Sequence, residues 1–251
     1  MESDDFTAIA HEGLAFMNPL AEEDVEEMIE ALELEPGAHV LDLGCGKAEI
    51  LLRIIERYPD IRATGLDNSS AVLAEARRQA EARVPESKVV LLEEDVREYA
   101  PEPGAFDLVV STGGVSFRGG VGGTLAVLAG YVTKGGKVLF GEGYWREEPT
   151  PEYLVALGAA REELKDYQGT IEAAVEAGLD LKRAVTSSVD DWDAYEDAWA
   201  RNGERYAEKH EGEEGITELR EWIANGSARY RELGGREILG FGLFLFERPV
   251  R

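Results

Sequence analysis

One cysteine, Cys45, and seven lysines stand in a chain of 251 residues. A lone cysteine excludes an internal disulfide framework and the small secreted scaffolds that depend on one. A chain of this length buries about 70–75% of its unfolded surface, so its core needs no covalent or metal staple. The three histidines, His11, His39 and His210, do not form H-E-x-x-H or a similar ligand spacing, and no metal site is expected. A G-x-S-x-G elbow and a G-x-x-x-x-G-K-[ST] loop are both missing, which removes two further nucleophile and phosphate chemistries. The longest apolar run, around 238–246, is too short to cross a bilayer. The opening MESDDFTAIAHEG lacks the basic and apolar regions of a secretory signal, so a cytoplasmic protein is expected.

Positive charge is scarce too. Twenty-six Lys and Arg face 51 Asp and Glu, a net charge of −25. A field of that sign repels phosphate backbones and anionic headgroups, so neither nucleic acid nor a membrane surface is an expected partner. An acid excess with so few lysines is the composition of a protein kept soluble in concentrated salt; an acid-rich proteome without halophily gives the same numbers.

What is present is a regular alternation of strand and helix signals. Val25, Met28, Ile29 and Leu32 recur at helical spacing over 22–34, stopped by Glu35-Pro36-Gly37. Strands over 39–43, 61–66, 88–92, 106–111 and 137–141 alternate with helices over 48–58, 69–82 and 123–132. Such alternation means right-handed βαβ units and a parallel sheet covered on both faces. After Trp145 the rhythm changes. Helical pieces over 151–178 lead to a strand at 181–187, and two amphipathic helices fill 190–233 before a last strand at 238–246. Trp192, Tyr195, Trp199 and Tyr206 share one helical face. The organisation is one α/β domain over 1–251, with an N-terminal helical segment (1–36) and a helical cap (190–235) inserted before the final strand.

The stretch Val40-Leu-Asp42-Leu-Gly44-Cys-Gly46-Lys-Ala-Glu49 carries the chemistry. A buried strand ends at an acid, turns tightly on glycines and enters a helix, so that backbone and free N–H groups can approach a ligand. A second acid, Asp67, ends the next strand beside Asn68. A carboxylate has paired acceptors that match the cis-diol of a ribose, and a nucleoside-containing ligand follows. The dinucleotide fingerprint needs a glycine where Glu49 stands, and a carboxylate beside a pyrophosphate is repulsive. An adenosine bearing an amino acid, its ammonium facing Asp42, fits better.

These residues resemble the class I S-adenosylmethionine-dependent methyltransferases over most of 38–141 and more weakly to the end of the chain. Val40 to Gly46 is similar to their first motif, Glu94-Asp95-Val96 to the adenine motif, Phe106-Asp-Leu-Val-Val-Ser-Thr to the fourth-strand motif, and Gly135-Gly136-Lys-Val-Leu-Phe-Gly-Glu-Gly to the fifth-strand turn. Ala48 departs from them, where many members have a further glycine. The resemblance implies a Rossmann-like, doubly wound, seven-stranded and mostly parallel sheet, its last strand antiparallel beside the fifth. It implies S-adenosyl-L-methionine as cofactor and S-adenosyl-L-homocysteine as product, with a small-molecule acceptor. Gly44, Cys45 and Gly46 then underlie the methionine part and Asp42 faces its amino end. Asp67 and Asn68 hold the ribose, Asp95 and Val96 the adenine, and Ser111 to Gly113 approach with backbone groups. Met17-Asn18-Pro19 closes over the cofactor.

No catalytic motif is required, because the cofactor brings the reactivity and the protein chiefly positions the acceptor. Acceptor-lining candidates are His11 on the closing segment, Phe117 and Arg118 in the glycine-rich loop after the fourth strand, Glu142, Tyr144 and Trp145 after the fifth, and Tyr195 in the cap. Glu142 is placed to act as an acceptor or base. A nicotinamide-dependent oxidoreductase on the related fold, or a cofactor-binding protein without turnover, stays open as an alternative. The oligomeric state is monomer or homodimer. A side chain at Gly44 is expected to abolish cofactor binding while leaving the fold standing.

Overall fold

The computed structural model describes residues 3–85 and 88–250. Seven strands, β1 (His39–Leu43), β2 (Arg62–Asp67), β3 (Lys88–Glu93), β4 (Phe106–Thr112), β5 (Val132–Trp145), β6 (Asp180–Thr186) and β7 (Leu239–Glu247), form one sheet ordered β3-β2-β1-β4-β5-β7-β6. The first five run parallel; β7 lies between β5 and β6, antiparallel to both. Among the described residues ten α-helices accompany them: α1 (Ser3–Ala10), α2 (Glu22–Glu30), α3 (Glu49–Arg57), α4 (Ser70–Arg83), α5 (Gly120–Tyr131), α6 (Pro151–Leu157), α7 (Tyr167–Glu176), α8 (Val189–Lys209), α9 (Ile216–Arg231) and α10 (Gly235–Ile238). The strand order reverses between β1 and β4, where open α/β sheets bind their ligands at the strand C-termini.

Alternation along each strand makes two cores. Val40, Leu108, Val110, Leu139 and Leu243 face the side of α2, α3 and α4, while Leu41, Val109, Phe140 and Phe244 face α5 and α7. Burial on both faces explains why these strands read as continuous apolar runs. Arg53 of α3 pins α2 through Glu22 and Glu26 and pairs with Glu49 on its own helix, and Arg83 of α4 reaches Glu49 and Glu56. The chain's arginines thus join acids that would otherwise repel across helices.

Several boundaries differ from those read in the sequence, among them the helix read over 22–34, which ends at Glu30. The fifth strand starts at Val132 rather than 137 because the chain leaves α5 directly into a pairing with Phe106. It runs on to Trp145 because β7 pairs with it as far as Leu239. The helix before it starts at Gly120, where a turn of glycines conceals the helical period. The N-terminal segment also divides. α2 joins the sheet core, whereas Phe6 and Ala10 of α1 pack with Trp199, Ala207, Ile216, Leu219 and Ile223 in a separate cap cluster. The stripe on α8 divides likewise, with Trp192 and Tyr195 over the sheet core and Trp199 and Tyr206 inside the cap. Among the described residues, no helix is long and apolar enough to cross a membrane.

Candidate active site

The turn after β1 positions the first group of functional side chains. Gly44 and Gly46 take φ of 69° and 54°, a region that glycine enters without penalty. The Cys45 N–H donates to Leu66 O at 2.8 Å, tying the turn to β2. Ala48 enters α3 at φ 61°, so the departure from glycine there costs about 1–2 kcal/mol. Asp42 is only 2% exposed and lies beside Gly65 of β2. Its Oδ1 has no hydrogen-bond donor among the described residues. Burial, followed by repulsion from Asp67, pushes its carboxyl up to about 8. Burial also raises the Cys45 thiol, which disfavours the thiolate a nucleophile would need.

Asp67 is held rigidly. Its Oδ2 accepts the Gly46 N–H and its Oδ1 the Ser69 N–H, each at 2.9 Å, leaving one lone pair per oxygen for hydroxyls. Ser69 caps α4, its Oγ accepting from Val72 N–H, and Asn68 stands at the rim. Beyond β3, Asp95 grips the Arg97 guanidinium at 2.6–3.2 Å, which holds its carboxyl down at about 2; Val96 stands beside it. From β4, Gly113 donates its N–H to Gly141 O at 2.7 Å. Asn18 donates from Nδ2 to Thr112 O at 3.3 Å, and its Oδ1 is a second buried acceptor with no donor among the described residues.

The segment 11–19 lies over this turn and is tied from both sides. Lys47 Nζ donates to His11 O and Leu14 O at 2.7 Å, while Asn202 Nδ2 of α8 donates to Ala10 O and Glu12 O. His11 Nδ1 lies 2.7 Å from Thr7 O, a carbonyl that only accepts. Nδ1 therefore carries the proton, and Nε2 accepts from the Tyr195 hydroxyl at 2.8 Å. Burial lowers the His11 pKa and keeps the ring neutral. With both nitrogens engaged, His11 positions Tyr195 and has no lone pair left for an acceptor.

The second group comes from β5, α6, α8 and α9. Glu142 in the last part of β5 accepts the Gly143 N–H on Oε1 at 2.9 Å and has no partner on Oε2 among the described residues. Burial raises it to about 7. Tyr153, Trp192, Tyr195, Glu196, Arg229, Tyr230 and Phe241 complete this end. Both groups line one continuous cavity of about 970 Å³, at the upper end of the range for small-molecule sites.

Five residues singled out in the sequence lie outside that lining. Ser111 is buried within β4, and Tyr144 stacks edge-on against Tyr167. Trp145 packs with Tyr153 and Ile238 and donates its indole N–H to Arg161 O. Phe117 turns into the core beneath α5, its N–H held by Thr124 Oγ1, and Arg118 next to it is exposed. The loop instead contributes Gly113 to Ser116 to the cavity wall.

The methyltransferase-domain family matches residues 40–136. The uncharacterised protein YjhP of Escherichia coli is 30% identical over 90% of this chain and 91% of its own length, and its crystal structure superposes with a TM-score of 0.85. A SAM-dependent methyltransferase from Geobacter sulfurreducens, solved with S-adenosyl-L-homocysteine, is 29% identical with a TM-score of 0.86, covering 97% of this chain and 98% of its own. The chain belongs to the class I S-adenosylmethionine-dependent methyltransferases. A trans-aconitate 2-methyltransferase from Paracidovorax citrulli is also similar, 30% identical over 66% of this chain and 64% of its own length.

Sequence reasoning passed over several groups of this methyltransferase's cavity. Lys47 sits inside the first motif but does its work on carbonyls 33 and 36 residues earlier in the chain. Glu196 and Arg229 lie on cap helices whose pattern marks them as solvent-facing, and only their meeting above the sheet reveals them. The aromatic stripe was the one available signal, and it named Tyr195.

Proposed function

We propose that the β1–β2–β3 end of the cavity binds S-adenosyl-L-methionine and that Glu142, Tyr195 and the cap helices enclose a small acceptor beside it. Two orphaned acceptors carry this reading. Asn18 Oδ1 and Asp42 Oδ1 are both buried, both without a donor, and both in the wall beside the glycine turn. A buried acceptor left without a donor costs about 1–3 kcal/mol, and an amino acid's ammonium supplies the missing donors. The residues present therefore fit the cofactor: Asp42 and Asn18 for the ammonium, Asp67 for the ribose diol, and Val96 with Asp95 for the adenine.

When bound, the cofactor supplies a methyl group activated on a sulfonium. The protein supplies placement and exclusion of water, together worth on the order of 7–11 kcal/mol. The tied segment 11–19 and helix α8 close the cavity, and Glu142 Oε2 accepts the proton of a protic acceptor.

Calorimetry with S-adenosyl-L-homocysteine and with NAD tests the cofactor assignment. The homocysteine form is expected to bind and NAD to produce no heat above dilution; tight NAD binding would reverse the assignment. Asp67→Ala is expected to weaken S-adenosyl-L-homocysteine by about 1.5–3 kcal/mol, the scale of lost charge-assisted hydrogen bonds. Unchanged affinity would remove Asp67 from the ribose role.

Asp42 gives an independent check. With its carboxyl raised to about 8, it is mostly protonated at pH 7. An ammonium beside it favours the charged form, so binding at pH 7 is expected to release close to one proton, and progressively less as pH rises through about 8. Binding heats in buffers of different ionisation enthalpy measure this. Equal proton release in Asp42→Asn would assign the proton to another group.

A further inference from the structure

We infer that Arg229 is the anchor for a carboxylate on the methyl acceptor, so that this methyltransferase takes singly charged carboxylates with an apolar, planar body. The inference rests on the placement of the acceptor at the cap end of the cavity, and it concerns a residue that takes no part in holding the cofactor.

Three cationic side chains of Lys and Arg line the cavity: Lys47, Arg97 and Arg229. Lys47 spends its ammonium on two carbonyls, and Arg97 is paired with Asp95. Arg229 has no ion pair and no hydrogen bond among the described residues, although it is half-buried. Its neighbour Arg231, on the solvent side of the same helix, is paired with Asp197. Arginine in a protein interior is ordinarily paired, because desolvating a guanidinium without a counter-charge is costly. Arg229 faces Glu196, Tyr153 and Tyr195 at longer range, beyond ion-pair distance of the carboxylate. The planar fork of the guanidinium is therefore free to take both oxygens of a ligand carboxylate.

The surroundings narrow the ligand. Trp192 is stacked on Tyr230 with ring centroids 5.8 Å apart and stands edge-on to Tyr195 at 6.3 Å, and all three line the cavity with Phe241. They present flat apolar walls. The buried Trp192 Nε1 donor has no acceptor among the described residues, and the Tyr153 hydroxyl has no hydrogen-bond partner there. One unpaired guanidinium and two neutral donors match a single negative charge. Glu142 and Glu196 in the same chamber oppose a second one, so a dianionic phosphate is disfavoured. Burial holds both of these glutamic acids at about 7, which softens their repulsion of a monoanion near neutrality.

The test uses the full chain saturated with S-adenosyl-L-homocysteine and titrated with benzoate, benzamide and phenyl phosphate at constant ionic strength. Benzoate is expected to bind, benzamide and phenyl phosphate at least tenfold more weakly. Arg229→Gln is expected to weaken benzoate at least tenfold while leaving S-adenosyl-L-homocysteine affinity within twofold of wild type. Arg229→Lys, which keeps the charge without the fork, is expected to fall between them and serves if the glutamine variant does not fold. Failure of benzoate to bind, equal binding of benzoate and benzamide, preference for phenyl phosphate, or undiminished benzoate affinity in both variants would each overturn the proposal. Failure of S-adenosyl-L-homocysteine to bind wild type would instead overturn the cofactor assignment beneath it.

Discussion

Glu142→Gln is expected to lower kcat by about 10²–10⁴-fold, the usual worth of a positioned general base. The acceptor for this measurement is one that an S-adenosyl-L-homocysteine-release screen identifies. Glutamine keeps the shape of the side chain and can still accept the Gly143 N–H, so the loss isolates proton transfer from packing. The sign of the pH dependence follows from the raised carboxyl. A base works only when ionised, so wild-type kcat is expected to rise with pH through about 7 and level off above it. The variant's profile is flat over the same interval. Burial keeps the group neutral in acid, where a solvent-exposed glutamate would already be charged. A wild-type profile that turns over near 4.5, or a variant with unchanged kcat, would show that the acceptor arrives already deprotonated and that Glu142 only shapes the wall.

Gly44→Val is expected to damage both binding and stability, which amends the expectation that the fold stands untouched. A Cβ built on Gly44 comes within 2.5 Å of Val115 Cγ2, a buried side chain of the loop after β4. The backbone there has φ 69°, which a β-branched residue adopts only with strain. Left-handed strain of about 1–2 kcal/mol and overpacking of about 1–3 kcal/mol together give a loss of roughly 2–5 kcal/mol. For a chain of this size that lowers Tm by roughly 4–20 °C. Because Val115 and Gly44 share the cavity wall, displacing one reshapes the place proposed for the cofactor's methionine end. Scanning calorimetry and S-adenosyl-L-homocysteine titration read the two effects separately. A variant with wild-type Tm and affinity would place the ligand elsewhere.

The grouping of the glycine-turn residues on one cavity wall was legible because it is local. Asp42, Gly44 and Gly46 sit within five consecutive residues of one strand and its turn, and Asp67 follows at the end of the next parallel strand. Covalent geometry and the in-register pairing of β1 with β2 leave them little choice of position. The lining of the cavity's cap end was only partly legible. Glu142 and Tyr195 were named, but so were Phe117 and Arg118, which the loop turns away from the cavity. Composition marks a glycine-rich loop as able to approach a ligand and does not say which of its side chains will. Tyr144 and Trp145 lie outside the cavity for a related reason: read as following β5, they fall within it, because pairing with β7 extends the strand and turns both to the core.

Read alone, the sequence settled the α/β class, the succession of the first five strands along the chain and the acid-flanked turn, because each depends on periodicities of two and 3.6 residues and on turn chemistry within a few positions. Tertiary packing alone decided that α1 leaves the N-terminal segment to join the cap, that Lys47 straps residues 11–19 across the turn, and that Arg229 comes near Glu196 and Tyr153 in the wall of the cavity. Those groups are separated by tens to more than a hundred residues of chain. What brings them together is the burial of apolar faces elsewhere on the same helices, and no local pattern records where a helix's other face will come to rest.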